Sequence, residues 1–150
     1  MNIAVLGSGN GGCAVAFDCA AHGHQVSLFD FEQFPKSIKA VQNNGGIQCE
    51  GILEGFQPVV SAGHEIEKAL NGADIIYAVG PAYSTRPFAE ACKPYLKQGQ
   101  IVIVCPSSCG GSVEFKNGAG LDLRDADVVV AETSTLPGLV TISSTTSMPN

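Results

Sequence analysis

The residues best suited to chemistry stand early in the chain: Gly7-Ser8-Gly9-Asn10-Gly11-Gly12, followed further on by Asp30. Glycines 7, 9 and 12 fit the spacing G-x-G-x-x-G. In that pattern the first glycine permits a tight turn out of a strand. The second lets backbone approach a pyrophosphate with no Cβ in the way, and the third lets the next helix pack close to the sheet. The helix N-terminus offers N–H groups and partial positive charge to the phosphates, so no Lys or Arg is needed. None occurs before Lys36. The pattern also wants an acid about 20 residues on, able to accept hydrogen bonds from both ribose hydroxyls. Asp30 stands there. A carboxylate repels a 2′-phosphate, and the following Phe31-Glu32-Gln33 supplies no Arg to bind one. The reading is a dinucleotide site for NAD in preference to NADP, with Phe31 counted beside Asp30.

Elements must hold these residues in place. Asn2–Leu6 reads as a short apolar strand, Gly11–His22 as a tightly packed helix, and Gln25–Asp30 as a second strand ending in the acid. Gln33–Asn44 reads as a helix that begins at Pro35, a residue tolerated in a first turn. Asn43-Asn44-Gly45-Gly46 closes it. Ile47–Cys49 and Phe56–Val60 read as a β-excursion leading into the third strand, and His64–Leu70 as a short helix. Asp74–Val79, Gln100–Val104 and Asp127–Ala131 are branched apolar runs of the kind found in strands covered on both faces. Thr85–Leu96 and Gly111–Asn117 are the helices between them. Strand alternating with helix predicts an α/β fold of Rossmann type: a doubly wound, mainly parallel sheet with helices on both faces.

Three further loops fall at the carboxyl edge of such a sheet, where ligands sit. Gly80-Pro81-Ala82-Tyr83 follows the fourth strand beside the topological switch point. Cys105-Pro106-Ser107-Ser108 follows the fifth, and Glu132 and Thr133 follow the sixth. Gly80, Pro81, Ala82, Pro106 and Glu132 therefore join the glycine loop, Asp30 and Phe31 as expected cofactor contacts.

The bulk properties restrict the alternatives. With 150 residues, 45% apolar and 15% charged, the chain is long enough for one domain with a real core. A formal charge of −6 on only eight scattered Lys and Arg argues against a nucleic-acid or anionic-membrane surface. No apolar run nears the ~20 residues that span a bilayer, and the strand-like start leaves no room for a signal peptide. Reduced thiols in the cytoplasm are then expected for the six cysteines. Cys13 and Cys19 should pack inside the first helix. Cys105 and Cys109 have no nearby His or second Cys pair to complete a metal site, so none is assigned. His22 and His24 fall at the wrong edge of the sheet, and His64 falls on the adenosine side. No residue is assigned a catalytic role.

The same glycines admit a second reading. Gly7, Gly9 and Gly11 spell G-x-G-x-G, as in S-adenosylmethionine-dependent methyltransferases. Those proteins usually carry helical sequence before the first strand, whereas this chain starts on it.

Beyond the glycine loop, Gly9-Asn10-Gly11-Gly12, Gly46-Ile47 with Glu50-Gly51 and Glu54-Gly55-Phe56, and Val79-Gly80-Pro81-Ala82 resemble the opine (octopine/nopaline) dehydrogenases. So do Gly99-Gln100-Ile101-Val102, Gly110-Gly111 with Glu114-Phe115, and Ala131-Glu132-Thr133-Ser134-Thr135-Leu136-Pro137. Glycerol-3-phosphate dehydrogenase and ketopantoate reductase share the expected fold. The resemblance implies a two-domain oxidoreductase that joins an amino acid to a 2-keto acid by hydride transfer. Its catalytic His, paired with an acid, would lie in the second domain. That family usually follows Leu-Pro with an aromatic and then a basic residue; here Gly138-Leu139-Val140 follows. The expected organisation is a dinucleotide-binding domain over 1–137 and an extra strand or loose tail over 138–150, with the substrate domain absent. A stand-alone NAD-binding module without catalysis is the alternative. A missing domain would expose apolar surface near the last strands, so self-association is expected.

Overall fold

The computed structural model describes residues 1–107 and 109–136. The chain alternates as the sequence predicts. It runs β1 (Asn2–Leu6), α1 (Asn10–Ala21), β2 (Gln25–Phe29), α2 (Pro35–Asn44), β3 (Gly46–Cys49), β4 (Gly55–Pro58), β5 (Ser61–Gly63), α3 (Ile66–Leu70) and β6 (Ile75–Val79). A 3₁₀ turn (Ala82–Ser84) leads into α4 (Thr85–Cys92), β7 (Ile101–Cys105), α5 (Gly111–Ala119) and β8 (Val129–Glu132). Six strands form one sheet in the order β5-β2-β1-β6-β7-β8. All its pairings are parallel. The order reverses between β1 and β6, which places the switch point at the ends of those two strands.

Both faces of the sheet are buried, which explains the near-continuous apolar runs. Ala4 and Leu6 turn toward α3, α4 and α5 and pack with Ile76, Phe88, Val102, Val104 and Phe115. Ile3 and Val5 turn the other way and pack with Cys13, Phe17, Val26, Leu28 and Ile38 under α1 and α2. Helix α2 starts at Pro35 and stops at Gly45, whose φ of 68° is left-handed. Both ends follow from those two residues.

Several boundaries differ from the sequence reading. The excursion is an antiparallel β3–β4 hairpin outside the main sheet. The third strand is only Ser61–Gly63, too short to show a pattern of its own. Helix α4 ends at Cys92, before Pro94. Glu132 is the last residue of β8, not the first after it. On the α1 side, Ile101 and Val129 are register partners across β7 and β8, 38% and 51% exposed. The expected tail or strand over 138–150 lies outside the described residues.

Candidate dinucleotide-binding site

The glycine loop is built by its own packing. The Gly7 N–H donates to the Phe29 carbonyl at 2.8 Å, tying the end of β1 to the end of β2. Gly7 has φ +105°, and a Cβ there would overlap the Val79 carbonyl oxygen. A Cβ on Gly12 would overlap the Gly7 carbonyl oxygen, so α1 can start this close to the strand only as glycine. Gly9 is different: a Cβ there would meet nothing within 4 Å. Its exposed position precedes α1 with no side-chain cap and no acid in the first turn. Among the described residues, the N–H groups of Gly9, Gly11 and Gly12 have no acceptor within the chain. Unmet N–H groups and open space at a helix N-terminus fit a pyrophosphate. Asn10 is the exposed first residue of α1.

Asp30 sits one residue past β2 and is 6% exposed. Its Oδ2 accepts from the Ser8 N–H and from the Ser8 hydroxyl, both at 2.7 Å. Its Oδ1 accepts from the Phe31 N–H at 2.8 Å. The sequence reading has this carboxylate accepting from both ribose hydroxyls. In the structure Oδ2 is engaged twice, and the open acceptor direction is on Oδ1. The backbone of Asp30 is pinned as well. Its N–H donates to Gly63 at 3.2 Å. His64 Nδ1 donates to its carbonyl at 2.8 Å. A carbonyl only accepts, so His64 carries its proton on Nδ1 there. This half-buried histidine anchors the acid, a role no pattern in the sequence marks.

Phe31 lies in an aromatic cluster. Its ring meets Phe29 edge-on at 5.3 Å and stacks on Phe88 at 5.4 Å and 10°. Phe88, 3% exposed on α4, also comes within 3.6 Å of where side chains on Gly7 and Gly80 would begin. The cluster thus underlies both loops at the switch point. Gly80 donates its N–H to the Cys105 carbonyl at 3.1 Å, and Pro81 and Ala82 stand exposed at the edge. The Ser84 hydroxyl donates to the Pro81 carbonyl at 2.7 Å, closing that turn.

Past β7, Pro106 follows a cis peptide bond from Cys105 and is half-buried. Glu132 is engaged with the neighbouring helix. Its Oε2 accepts from the Ser112 N–H at 2.8 Å and the Ser107 hydroxyl at 3.1 Å. Ser107 Oγ in turn accepts from the Gly111 N–H at 2.9 Å. Together they cap α5. The Ser112 N–H, then the Ser107 hydroxyl, hold the Glu132 carboxyl below its ordinary value. Beyond β8 the chain crosses back over the sheet edge. The Thr133 N–H donates to Val104, and Leu136 Cδ2 would lie 2.9 Å from a Cβ on Gly11. The positions assigned from sequence thus gather at the carboxyl edge of β1, β2, β6, β7 and β8.

The cysteines pack. Cys13 donates to the Ser8 carbonyl at 3.4 Å. Burial is the main cause that pushes the thiols of Cys13 and Cys92 up to about 12 and that of Cys19 up to about 11. Among the described residues no group of three or more His, Cys, Asp and Glu side chains is placed to hold a metal. No described helix is long and apolar enough to cross a membrane. A surface groove of about 810 Å³ between α3 and residues 94–97 involves none of the glycine-loop residues.

Comparison with known proteins agrees with this geometry. The family described as the NAD-dependent glycerol-3-phosphate dehydrogenase N-terminus matches residues 2–108. An opine dehydrogenase of Arthrobacter sp. (strain 1C) is 34% identical over 93% of this chain. A glycerol-3-phosphate dehydrogenase [NAD(P)+] of Mesorhizobium japonicum is 33% identical over 69% of it. The chain spans 41% and 29% of the lengths of these two relatives. Octopine dehydrogenase in complex with NADH and agmatine superposes with a TM-score of 0.77 over 91% of this chain and 36% of that one, at 20% identity. A ketopantoate reductase from Ralstonia eutropha reaches 0.67 over 87% of this chain and 40% of that one, at 22% identity. Both structures share the fold. These proteins are dehydrogenases and reductases, and the methyltransferase alternative gains no support. The chain belongs to the NAD-dependent glycerol-3-phosphate dehydrogenase N-terminal family, and it is an NAD-binding domain of the opine and glycerol-3-phosphate dehydrogenase type.

Proposed function

We propose that this domain serves an opine-type dehydrogenase that uses NAD in preference to NADP and joins an amino acid to a 2-keto acid. Over nearly the whole chain the opine relative is 34% identical, against 28% for a glycerol-3-phosphate dehydrogenase of Lacticaseibacillus casei that aligns over a similar span, which supports the opine branch. The buried, anchored carboxylate of Asp30 is the observation that carries the cofactor choice. It holds negative charge at the ribose end of the loop, and the next residues add Glu32 and no Arg. When bound, the nicotinamide supplies hydride exchange. The chain's own part is to seat the phosphates on the N–H groups of Gly9, Gly11 and Gly12, and to orient the adenosine ribose against Asp30. In this reading Phe31 borders the adenine side. Gly80, Pro81, Ala82, Pro106 and Glu132 border the other half, with Ser8 and Asn10 completing the loop. A second domain supplies the proton-transfer residue and the substrate contacts.

Titrating NADH and NADPH against the wild type and Asp30→Asn tests the cofactor reading. The expected result is a tenfold or larger loss for NADH with little loss for NADPH, since a hydrogen bond to a charged group contributes about 1.5–3 kcal/mol. Equal losses would sink it. NADH binding without turnover of amino acid and 2-keto acid pairs is expected from this chain alone. A cytoplasmic setting goes with the reading, because six free thiols are the state a reducing compartment maintains. The exposed Ile101–Val129 strip supports self-association. Light scattering that gives a clean monomer at high concentration would count against that.

A further inference from the structure

We infer that Ser8 is a specificity-determining positioning residue, acting through Asp30 to set the preference between a free and a phosphorylated adenosine ribose. The inference rests on the proposed dinucleotide reading and deepens it.

Ser8 occupies a variable position of the glycine pattern, so the motif gives it no task. In the structure it is 2% exposed and Asp30 is 6% exposed, so bulk water hardly competes for either. The serine grips a single carboxylate oxygen with two donors, its N–H and its hydroxyl, each at 2.7 Å. Bonds of that length to an ionised acceptor are charge-assisted and directional. A carboxylate offers about four acceptor directions, two on each oxygen. Ser8 uses both on Oδ2, and the Phe31 N–H uses one on Oδ1. What is left is one direction on Oδ1.

The consequence is a fixed carboxylate plane. Held by two donors from a loop that is itself locked by Gly7 and Gly12, Asp30 cannot turn its charge away from an incoming group. A ribose hydroxyl finds an acceptor already aimed. A 2′-phosphate finds a negative charge that cannot retreat. Without the Ser8 hydroxyl, the N–H still holds Oδ2, but the plane can rotate. The aimed acceptor is then lost to NADH, and the repulsion of NADPH is relaxed. The Ser8 N–H is also committed to Asp30, so phosphate binding falls to the N–H groups further along the loop. The phosphate cradle and the ribose acid are therefore joined at one residue.

The test is a double-mutant cycle with Ser8→Ala and Asp30→Asn, reading NADH and NADPH affinity by calorimetry. Ser8→Gly serves as a second variant, since it too keeps the N–H and removes the hydroxyl. Thermal melting checks that each variant folds. The expected result is that Ser8→Ala weakens NADH binding about tenfold, the size of one lost hydrogen bond to a charged group. It narrows the NADH-over-NADPH ratio at least fivefold. In the Asp30→Asn background the same change moves NADH affinity less than twofold, because its route is gone. Equal losses for both nucleotides, or the same loss in both backgrounds, would mean that Ser8 merely shapes the loop and would overturn the inference. A folded wild type that binds NADH and NADPH equally would overturn the proposed preference for NAD, and this inference with it.

Discussion

The Cα of Gly12 faces the carbonyl oxygen of Gly7 so closely that a methyl group there would overlap it. Helix α1 therefore rests on the first residue of its own loop. Gly9, between the two, has open space where its Cβ would be. The same residue type thus does two separable things. Gly12→Ala should destabilise the domain by about 1–3 kcal/mol, an overpacking cost that outweighs the ~1 kcal/mol of helix propensity gained. Gly9 has φ −69° and ψ −178°, which alanine adopts freely. Gly9→Ala should stabilise the fold by about 0.4–1 kcal/mol through the unfolded chain, while weakening NADH binding at least tenfold. Urea unfolding and NADH titration of both variants check this. A Gly9→Ala protein that binds NADH normally would remove the phosphate from that position.

Removing the aromatic support should be costly. Phe88 is almost fully buried and stacked on Phe31. Phe88→Ala should lose about 3–5 kcal/mol, and half-buried Phe31 should lose less on the same change. The cavity would open beneath Gly7 and Gly80, so NADH affinity should fall together with the melting temperature. A drop in stability that leaves affinity intact would show that the cluster is only core.

Glu132 makes a pH-dependent contribution of definite sign. Its folded pKa lies below the ordinary 4.5, first because of the Ser112 N–H and then the Ser107 hydroxyl. A depressed carboxyl stabilises the fold above its unfolded pKa and loses that contribution as pH falls through the folded value. Glu132→Gln should therefore lower the melting temperature at pH 7, and the gap to wild type should close below about pH 4. A gap that stays constant down to pH 3 would mean the charge is not what caps α5.

Thiol chemistry offers a separate check on the core. Cys13, Cys19 and Cys92 have pKa values pushed to about 12, 11 and 12, while Cys109 is exposed. At pH 8 the thiolate fraction of each of the first three is about one in a thousand or less. Ellman's reagent should find one fast thiol in the native protein and all six after denaturation. Cys109→Ser should abolish the fast phase.

Most of the fold was legible because its signals are local. The apolar runs of β1, β6 and β7, Pro35 and Gly45 at the ends of α2, and the glycine loop each carry their own reason. The third strand was not legible, because Ser61–Gly63 is three small residues whose strand character comes only from pairing with β2. The site divided the same way. Gly7, Gly9, Gly12 and Asp30 are marked by spacing. Ser8, His64, Phe88 and Ser107 are not, because each matters through a partner 22 to 57 residues away. No local pattern records such a distance. The grip of Ser8 on Asp30 Oδ2, two donors on one oxygen, is likewise invisible in the spacing of Asp30 from the glycines.

The parallel sheet also has a quiet edge. Every loop gathered at the site leaves the carboxyl ends of the strands, while the turns at Gly23, Gly72 and Gly99 feed the amino ends of β2, β6 and β7. That edge is where the chain can be cut, lengthened or labelled. A fluorophore, an affinity tag or a new pair of termini placed at Gly23 or Gly99 would leave the nucleotide side as it is.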